Sequence, residues 1–206
     1  DGTSQWITGP EARTDGHAIR ARADAVLVGT GTALADNPRL TARTGTDARQ
    51  PLRVVMGFRK PADDAAIRGP GFLHLRTRDV HGALSQLTHH GVRHLMVEGG
   101  PTVAGAFLRA GVVDEVFTYV APILLGDGTP MLPSLGIPTL AEASRWQLDP
   151  AGGVGLTQLG ADIRLHLRPE EIAGRSELFP TSPDTPLHDS PARAASHDQE
   201  PPCSQE

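Results

Sequence analysis

His94-Leu95-Met96-Val97-Glu98-Gly99-Gly100-Pro101-Thr102-Val103-Ala104-Gly105-Ala106-Phe107 is the stretch on which the fold turns. An apolar strand over His94–Val97 runs straight into two glycines. Beyond them Val103, Ala106, Phe107 and Ala110 recur at i, i+3, i+4 and i+7, the spacing of an amphipathic helix. Pro101 stands where a first helical residue belongs, because its fixed φ suits a helix start and its missing N–H is not needed there. A strand that turns on glycines into a helix is the repeating joint of an α/β domain. Paired glycines also let a backbone come close to a ligand, and the N–H groups of a helix start suit a phosphate or diphosphate. From these residues alone, a plain strand-to-helix turn and a phosphate loop stand level.

The same alternation continues outward. Thr8-Gly9-Pro10-Glu11 has the form of a capping box with an early proline, so a helix is predicted from there, with Ala12, Gly16, Ile19 and Ala23 packed and Arg13, His17 and Arg20 on another face. Ala25–Val28 is an unbroken apolar run, as in a buried strand, and it leads into Gly29-Thr30-Gly31-Thr32, a second glycine loop. Leu52–Met56 and Phe72–Leu75 read as strands, Val80, Leu84 and Leu87 mark a helix, and Glu115–Ala121 reads as a long strand. Arg145–Leu148 and Gly155–Leu167 are predicted to be later strands, paired antiparallel around Gly152-Gly153.

Composition narrows the classes of function. With 38% hydrophobic and 21% charged residues, the 206-residue chain reads as a globular protein with room for one domain. No apolar run is long enough to span a bilayer as a helix. The segment from Pro169 onward holds eight acidic and two basic residues among repeated prolines, so residues 169–206 read as a disordered acidic tail and residues 1–168 as the domain. That domain is nearly neutral and has no field to attract nucleic acid. The one cysteine, Cys203, allows no internal disulfide, and the cytoplasm is the expected compartment. The chain opens on Asp1-Gly2 without an initiator Met, as a fragment or processed product does.

Several chemistries lack their residues. Gly-x-Gly-x-x-Gly is absent, so a Rossmann dinucleotide site is not indicated. A zinc deaminase needs Pro-Cys-x-x-Cys, which this chain cannot supply. His89, His90 and His94 lack the carboxylate or thiolate company of a metal site, and none is expected. Arg20, Arg39 and Arg43, with Asp36 among them, lie near the first glycine loop. Arginine is the natural partner of a phosphate monoester, although each of these also reads as a solvated surface residue.

Together these segments resemble the reductase domain of the bifunctional riboflavin-biosynthesis deaminase/reductase family. The likeness is carried by Ser4-Gln5-Trp6-Ile7-Thr8, Arg20, Val28-Gly29-Thr30-Gly31-Thr32 and Ala35-Asp36-Asn37-Pro38-Arg39-Leu40-Thr41 with Arg43. Gln50–Val55, Val97–Ala106 and Ala121-Pro122 with Leu124-Leu125-Gly126 extend it in register over residues 1–168. The resemblance implies a dihydrofolate-reductase-like α/β fold: a central mixed, mostly parallel sheet flanked by helices, with a C-terminal antiparallel hairpin. It implies NADPH as hydride donor to 5-amino-6-(5-phosphoribosylamino)uracil, whose ribosyl group becomes ribityl, and a homodimer.

By position, the resemblance assigns Ser4, Arg20, Leu40, Arg43 and Glu98 to the substrate. It assigns Trp6, Thr32, Asp36, Gly100, Pro101, Thr102, Val103, Ala104, Gly105 and Ala106 to the cofactor. Asp36 and Glu98 are the candidates for polar assistance or proton relay. The family's first strand precedes Ser4 and is missing here, and the family's frequent Asp-Ser after the Val54-Val55 strand is replaced by Gly57-Phe58. Arg59 and Arg76 are then candidates for the cofactor's 2′-phosphate. Two other readings stand beside this one: a related reductase of another small molecule, and a catalytically silent domain acting in dimerisation.

Overall fold

A computed structural model describes residues 6–45, 49–126, 128–149 and 155–170. In chain order they form α1 (Pro10–Arg22), β1 (Ala25–Gly29), α2 (Thr30–Asp36), β2 (Leu52–Met56), β3 (Phe72–Leu75), α3 (Val80–His89), β4 (Leu95–Val97) and α4 (Pro101–Arg109). β5 (Val116–Val120), β6 (Trp146–Leu148), β7 (Leu156–Leu159) and β8 (Asp162–Pro169) follow.

The first half builds a parallel sheet in the order β3-β2-β1-β4. β1 is its inner strand and every one of its residues is buried, which is why its sequence is apolar without alternation. One face packs Ala25, Leu27, Val54, Met56 and Leu75 against α3 and α4 through Val80, Ala83, Leu87 and Phe107. The other packs Val26, Val28 and Val55 beneath Ala23, Ala33, Leu40 and Ile67. Burial of each Val, Leu, Ile, Met or Phe side chain among these contributes about 1.5–3 kcal/mol, and each alanine methyl roughly 0.8 kcal/mol. Asp24 secures the sheet's lower end: its carboxylate accepts from Arg93 N–H (3.0 Å), His94 N–H (2.9 Å) and Arg49 Nη2 (2.8 Å). Those bonds, the two backbone N–H groups foremost, hold its pKa down at about 2.

The second half is antiparallel. β8 pairs with β5 along one edge, while β7 and β6 share the other edge in succession. Here the expected single strand over Gly155–Leu167 is corrected to two strands. They fold back at Gly160-Ala161, where Gly160 has φ +64°, a left-handed value that suits glycine in a two-residue hairpin. β6 therefore pairs with the far end of β8. Gly152-Gly153 lie outside the described residues, as do Ser4, Cys203 and residues 171–206. Pairing runs past the expected boundary at 168: β8 extends through Pro169, and Glu170 N–H donates to Arg145 O at 3.1 Å.

The parallel and antiparallel parts of the fold are two ladders. Among the described residues no strand pairs with the outer edge of β4 or of β5. α1 joins the two. Asp15 accepts Tyr119 Oη–H at 2.6 Å and Arg164 Nη1–H at 2.8 and 2.9 Å. The half-burial of the ring, and then that carboxylate, push the Tyr119 phenol well above its ordinary range. The expected capping box at Thr8–Glu11 does not form. The N-cap is Gly9, and its N–H donates to Asp162 Oδ2 at 2.6 Å, because a carboxylate from β8 outcompetes a local cap.

Candidate functional site

The site lies where the parallel strands end. β1 passes directly into α2, a helix the spacing of small residues did not announce, so Thr30, Gly31 and Thr32 are helical. β4 passes through Glu98-Gly99-Gly100 into α4, with Pro101 as its first residue. The two glycine loops touch: Gly29 N–H donates to Gly99 O (3.2 Å), and Gly100 N–H donates to Thr32 Oγ1 (3.1 Å). Glycine is needed at both contacts. A Cβ on Gly29 would lie 2.7 Å from Val103 Cγ2, and one on Gly100 2.8 Å from Thr32 Oγ1. Gly99, by contrast, faces open space at φ +92°.

Donor accounting trims the helix-start expectation. Val103 and Ala104 N–H groups return to Gly100 O, Gly100 N–H is taken by Thr32, and proline has none. Thr102 N–H is the donor of the first turn with no acceptor among the described residues. A phosphate beside Gly99 therefore finds one helix N–H and an open glycine backbone, a narrower cradle than a fully free helix start.

At the β4 end the structure brings Arg20 and Glu98 together. Arg20 Nη2 donates to Glu98 Oε2 at 2.6 Å, and Nε donates to Oε1, a bidentate pair about one-fifth exposed. Arg20 Nη1 also donates to Thr41 O at 3.2 Å. His17, one turn earlier on α1, donates from Nδ1 to the same carbonyl at 3.1 Å, which leaves Nε2 as an acceptor. Partial burial, then the charges of Arg20 and Arg43, lower the His17 pKa and keep the ring neutral at pH 7. The sequence places His17 only on a face of the helix away from its packed residues; its closeness to Arg43 depends on how the 37–43 segment folds back over α1.

That segment is held under strain. Asn37 and Leu40 have φ of +42° and +50°, uncommon for side-chain-bearing residues. Asn37 caps α2, and its Oδ1 accepts Ala66 N–H at 2.7 Å. Leu40 is buried in the core, so a ligand there meets its backbone rather than its side chain. Arg43 is exposed. Asp36 is exposed at the end of α2, with no hydrogen bond or ion pair among the described residues, and nothing couples it to Glu98. Trp6 is exposed, with the Arg13 guanidinium 4.6 Å from its ring centroid. Gly105 packs inward, where a Cβ would meet Pro133 Cγ at 2.7 Å, so α4 contributes its first turn rather than its whole length to a surface.

Among the described residues no group of three or more His, Cys, Asp or Glu side chains is placed to hold a metal, and no helix is long and apolar enough to cross a membrane. What remains is an α/β domain whose strand-end loops, closed at one side by a guanidinium–carboxylate pair, suit a long phosphate-bearing ligand laid across the strands. A family model described as the RibD C-terminal domain matches residues 1–152. The chain belongs to that family. RibD of Mycobacterium tuberculosis is 44% identical over 172 residues, covering 81% of this chain and 49% of that protein. A crystal form of Acinetobacter baumannii RibD superposes with a TM-score of 0.72 at 30% identity, covering 83% of this chain and 53% of the other. A structure from Thermotoga maritima, described as a diaminohydroxyphosphoribosylaminopyrimidine deaminase/5-amino-6-(5-phosphoribosylamino)uracil reductase, gives 0.65 at 25% identity, with 82% and 51% covered. The fold is the dihydrofolate-reductase-like one that the resemblance implies. The chain spans about half the length of the curated relatives it matches.

Proposed function

We propose that residues 1–168 are a reductase domain that uses NADPH to convert the ribosyl group of 5-amino-6-(5-phosphoribosylamino)uracil to ribityl. The observation that carries this reading is the Arg20–Glu98 pair standing beside two touching glycine loops. When bound, the reduced nicotinamide supplies the hydride. The open glycine backbone at Gly99 and the Thr102 N–H fit its diphosphate.

The chain's own residues then orient and neutralise. Glu98 accepts both hydrogen bonds of its bidentate pair with Arg20, so its task is to fix the guanidinium plane. Arg20 keeps N–H groups beyond those bound to Glu98 and Thr41, and with Arg43 these hold the substrate phosphate. Hydride addition at the ribosyl C1′ of the open-chain imine leaves the attached nitrogen needing one proton. Asp36 reaches that proton only if bound ligand draws the end of α2 inward, and solvent supplies it otherwise.

Calorimetric titration of the folded chain with NADPH and NADH tests the reading. Tighter binding of NADPH is expected, followed by NADPH oxidation on adding the phosphoribosylaminouracil. Binding without turnover of that substrate favours a related reductase of another molecule. No binding of either cofactor favours a silent domain.

The proposed partner is a second copy. In the antiparallel sheet Val116, Thr118, Val120, Leu148, Leu156, Ile163, Leu165 and Leu167 share one face by register. α1 covers the opposite, charged face through Asp15, Tyr119 and Arg164. Val120, Leu148, Leu156 and Ile163 are exposed, and Leu124 beyond β5 is fully so, an apolar surface of the kind that marks an interface. Ile163→Arg is expected to shift the chain from dimer to monomer in light scattering. A monomeric wild type would overturn the assignment.

A further inference from the structure

The segment that carries Leu40 and Arg43 is gripped from both sides, by side chains to which no role has yet fallen. Leu40 has φ +50°, a left-handed value that a residue with a side chain keeps only where its surroundings over-determine the backbone. Three holds do so here. The Leu40 side chain is buried in one core cluster with Val28 and Ala33. Thr41 O accepts two hydrogen bonds from α1, one from His17 Nδ1 at 3.1 Å and one from Arg20 Nη1 at 3.2 Å. Ala42 is bonded at both of its polar groups by a single side chain: its N–H donates to Gln50 Oε1 at 3.1 Å, and its carbonyl accepts from Gln50 Nε2 at 3.0 Å.

A carboxamide has one donor side and one acceptor side, so Gln50 takes the place that the backbone of a neighbouring strand would take. It stands just before the buried Pro51 and the start of β2 at Leu52, which anchors this side of the grip in the sheet. Arg43 follows the gripped pair directly. It is exposed and has no hydrogen bond or ion pair among the described residues, so its position is set by the backbone that leads into it. Arg20 feels the same segment, because one guanidinium bonds both Glu98 and Thr41 O. His17 suits this place chemically. Partial burial and the charges of Arg20 and Arg43 lower its pKa, so it holds the carbonyl as a neutral donor and adds no third positive charge.

We infer that His17 and Gln50 are positioning residues for a phosphate: by holding Thr41-Ala42 between α1 and the entry to β2, they set where Arg43 stands relative to Arg20. That the phosphate is the one carried by the phosphoribosylaminouracil rests on the reductase reading above. Neither residue touches the phosphate. Each acts through the backbone of residues 41 and 42.

Calorimetric titration with ribose 5-phosphate, together with turnover of the phosphoribosylaminouracil by NADPH, tests the clamp. His17→Ala and Gln50→Leu are each expected to weaken ribose 5-phosphate about tenfold and to raise KM alike, with kcat and NADPH affinity within about threefold. His17→Asn carries an amide donor where Nδ1 stands and is expected to return affinity to within about threefold of the wild type. His17→Gln carries its donor where Nε2 stands and is expected to behave as His17→Ala. The double variant His17→Ala/Gln50→Leu is expected to lose little more than either single one, because both act on one two-residue segment. Rescue by Gln and not by Asn would mean that His17 meets the ligand through Nε2, and it overturns the positioning role. Additive losses, or an unchanged affinity in either single variant, overturn it too. Ribose 5-phosphate bound with the expected pattern by a chain that does not oxidise NADPH upholds the clamp and overturns the reductase. Turnover that the variants leave unmoved upholds the reductase and overturns the clamp, and a wild type that does not bind ribose 5-phosphate overturns the clamp as well. Gln50 is exposed and His17 half-buried, so the variants are expected to melt as the wild type does. If His17→Ala melts early, the Asn and Gln variants still decide, since they differ only in where the donor stands.

Discussion

Glu98→Gln is expected to lower kcat/KM for the phosphoribosylaminouracil on the order of 100-fold while NADPH affinity changes by less than about threefold. The variant keeps the shape of the carboxylate and removes its charge. Arg20 is about one-fifth exposed and loses its bidentate partner. A 100-fold loss corresponds to about 2.7 kcal/mol of transition-state stabilisation, which a guanidinium no longer held in plane at the substrate phosphate is expected to forfeit. Arg20→Ala removes the phosphate contact as well as the pair. It is expected to weaken substrate much more than NADPH, and equal loss of both would sink its assignment to the substrate phosphate. The double variant is expected to lose little more than Arg20→Ala alone, because Glu98 acts through Arg20. Additive losses would instead mean that Glu98 touches substrate independently.

Asp15→Ala is expected to destabilise the domain by about 3 kcal/mol, lowering Tm by roughly 6–12 °C. Asp15 is the acceptor that ties α1 to the antiparallel sheet, and its loss leaves the mostly buried Arg164 guanidinium facing Tyr119 without a counter-charge. Tyr119→Phe removes one hydrogen bond from the same group and should cost only about 1 kcal/mol. Equal effects of the two substitutions, measured by thermal or urea unfolding, would show that the Arg164 charge is stabilised from elsewhere.

Much of the parallel sheet was legible residue by residue. Ala25–Val28 announced a strand buried on both faces because such a strand has no polar side to show. Val103, Ala106 and Phe107 announced α4 because a helix packed on one face repeats its apolar residues at its own period. α2 was not legible: Thr30-Gly31-Thr32 has poor helix propensity, and Ala33 is drawn into helix by the core beneath Leu40 and Val28. The Thr8–Glu11 capping box failed for a related reason, since Asp162, far along the chain, reaches Gly9 first. The hairpin at Gly160-Ala161 was not legible because polar and apolar residues are interleaved on both sides of it, so Gly155–Leu167 reads as one strand.

By itself the sequence determined the parallel strands, helices α1, α3 and α4, the glycines at the two strand ends and the membership of the family, because periodicity, steric need for glycine and motif order are local properties. Only the tertiary structure decided which charges meet. Arg20 and Glu98 lie 78 residues apart, yet their bidentate pair turns two candidate ligands into one positioned unit. The same proximity left Asp36 and Arg76 exposed and uncoupled among the described residues, and kept His17 neutral beside two arginines. Charge pairing depends on distance through space, and that distance is fixed by packing rather than by position along the chain.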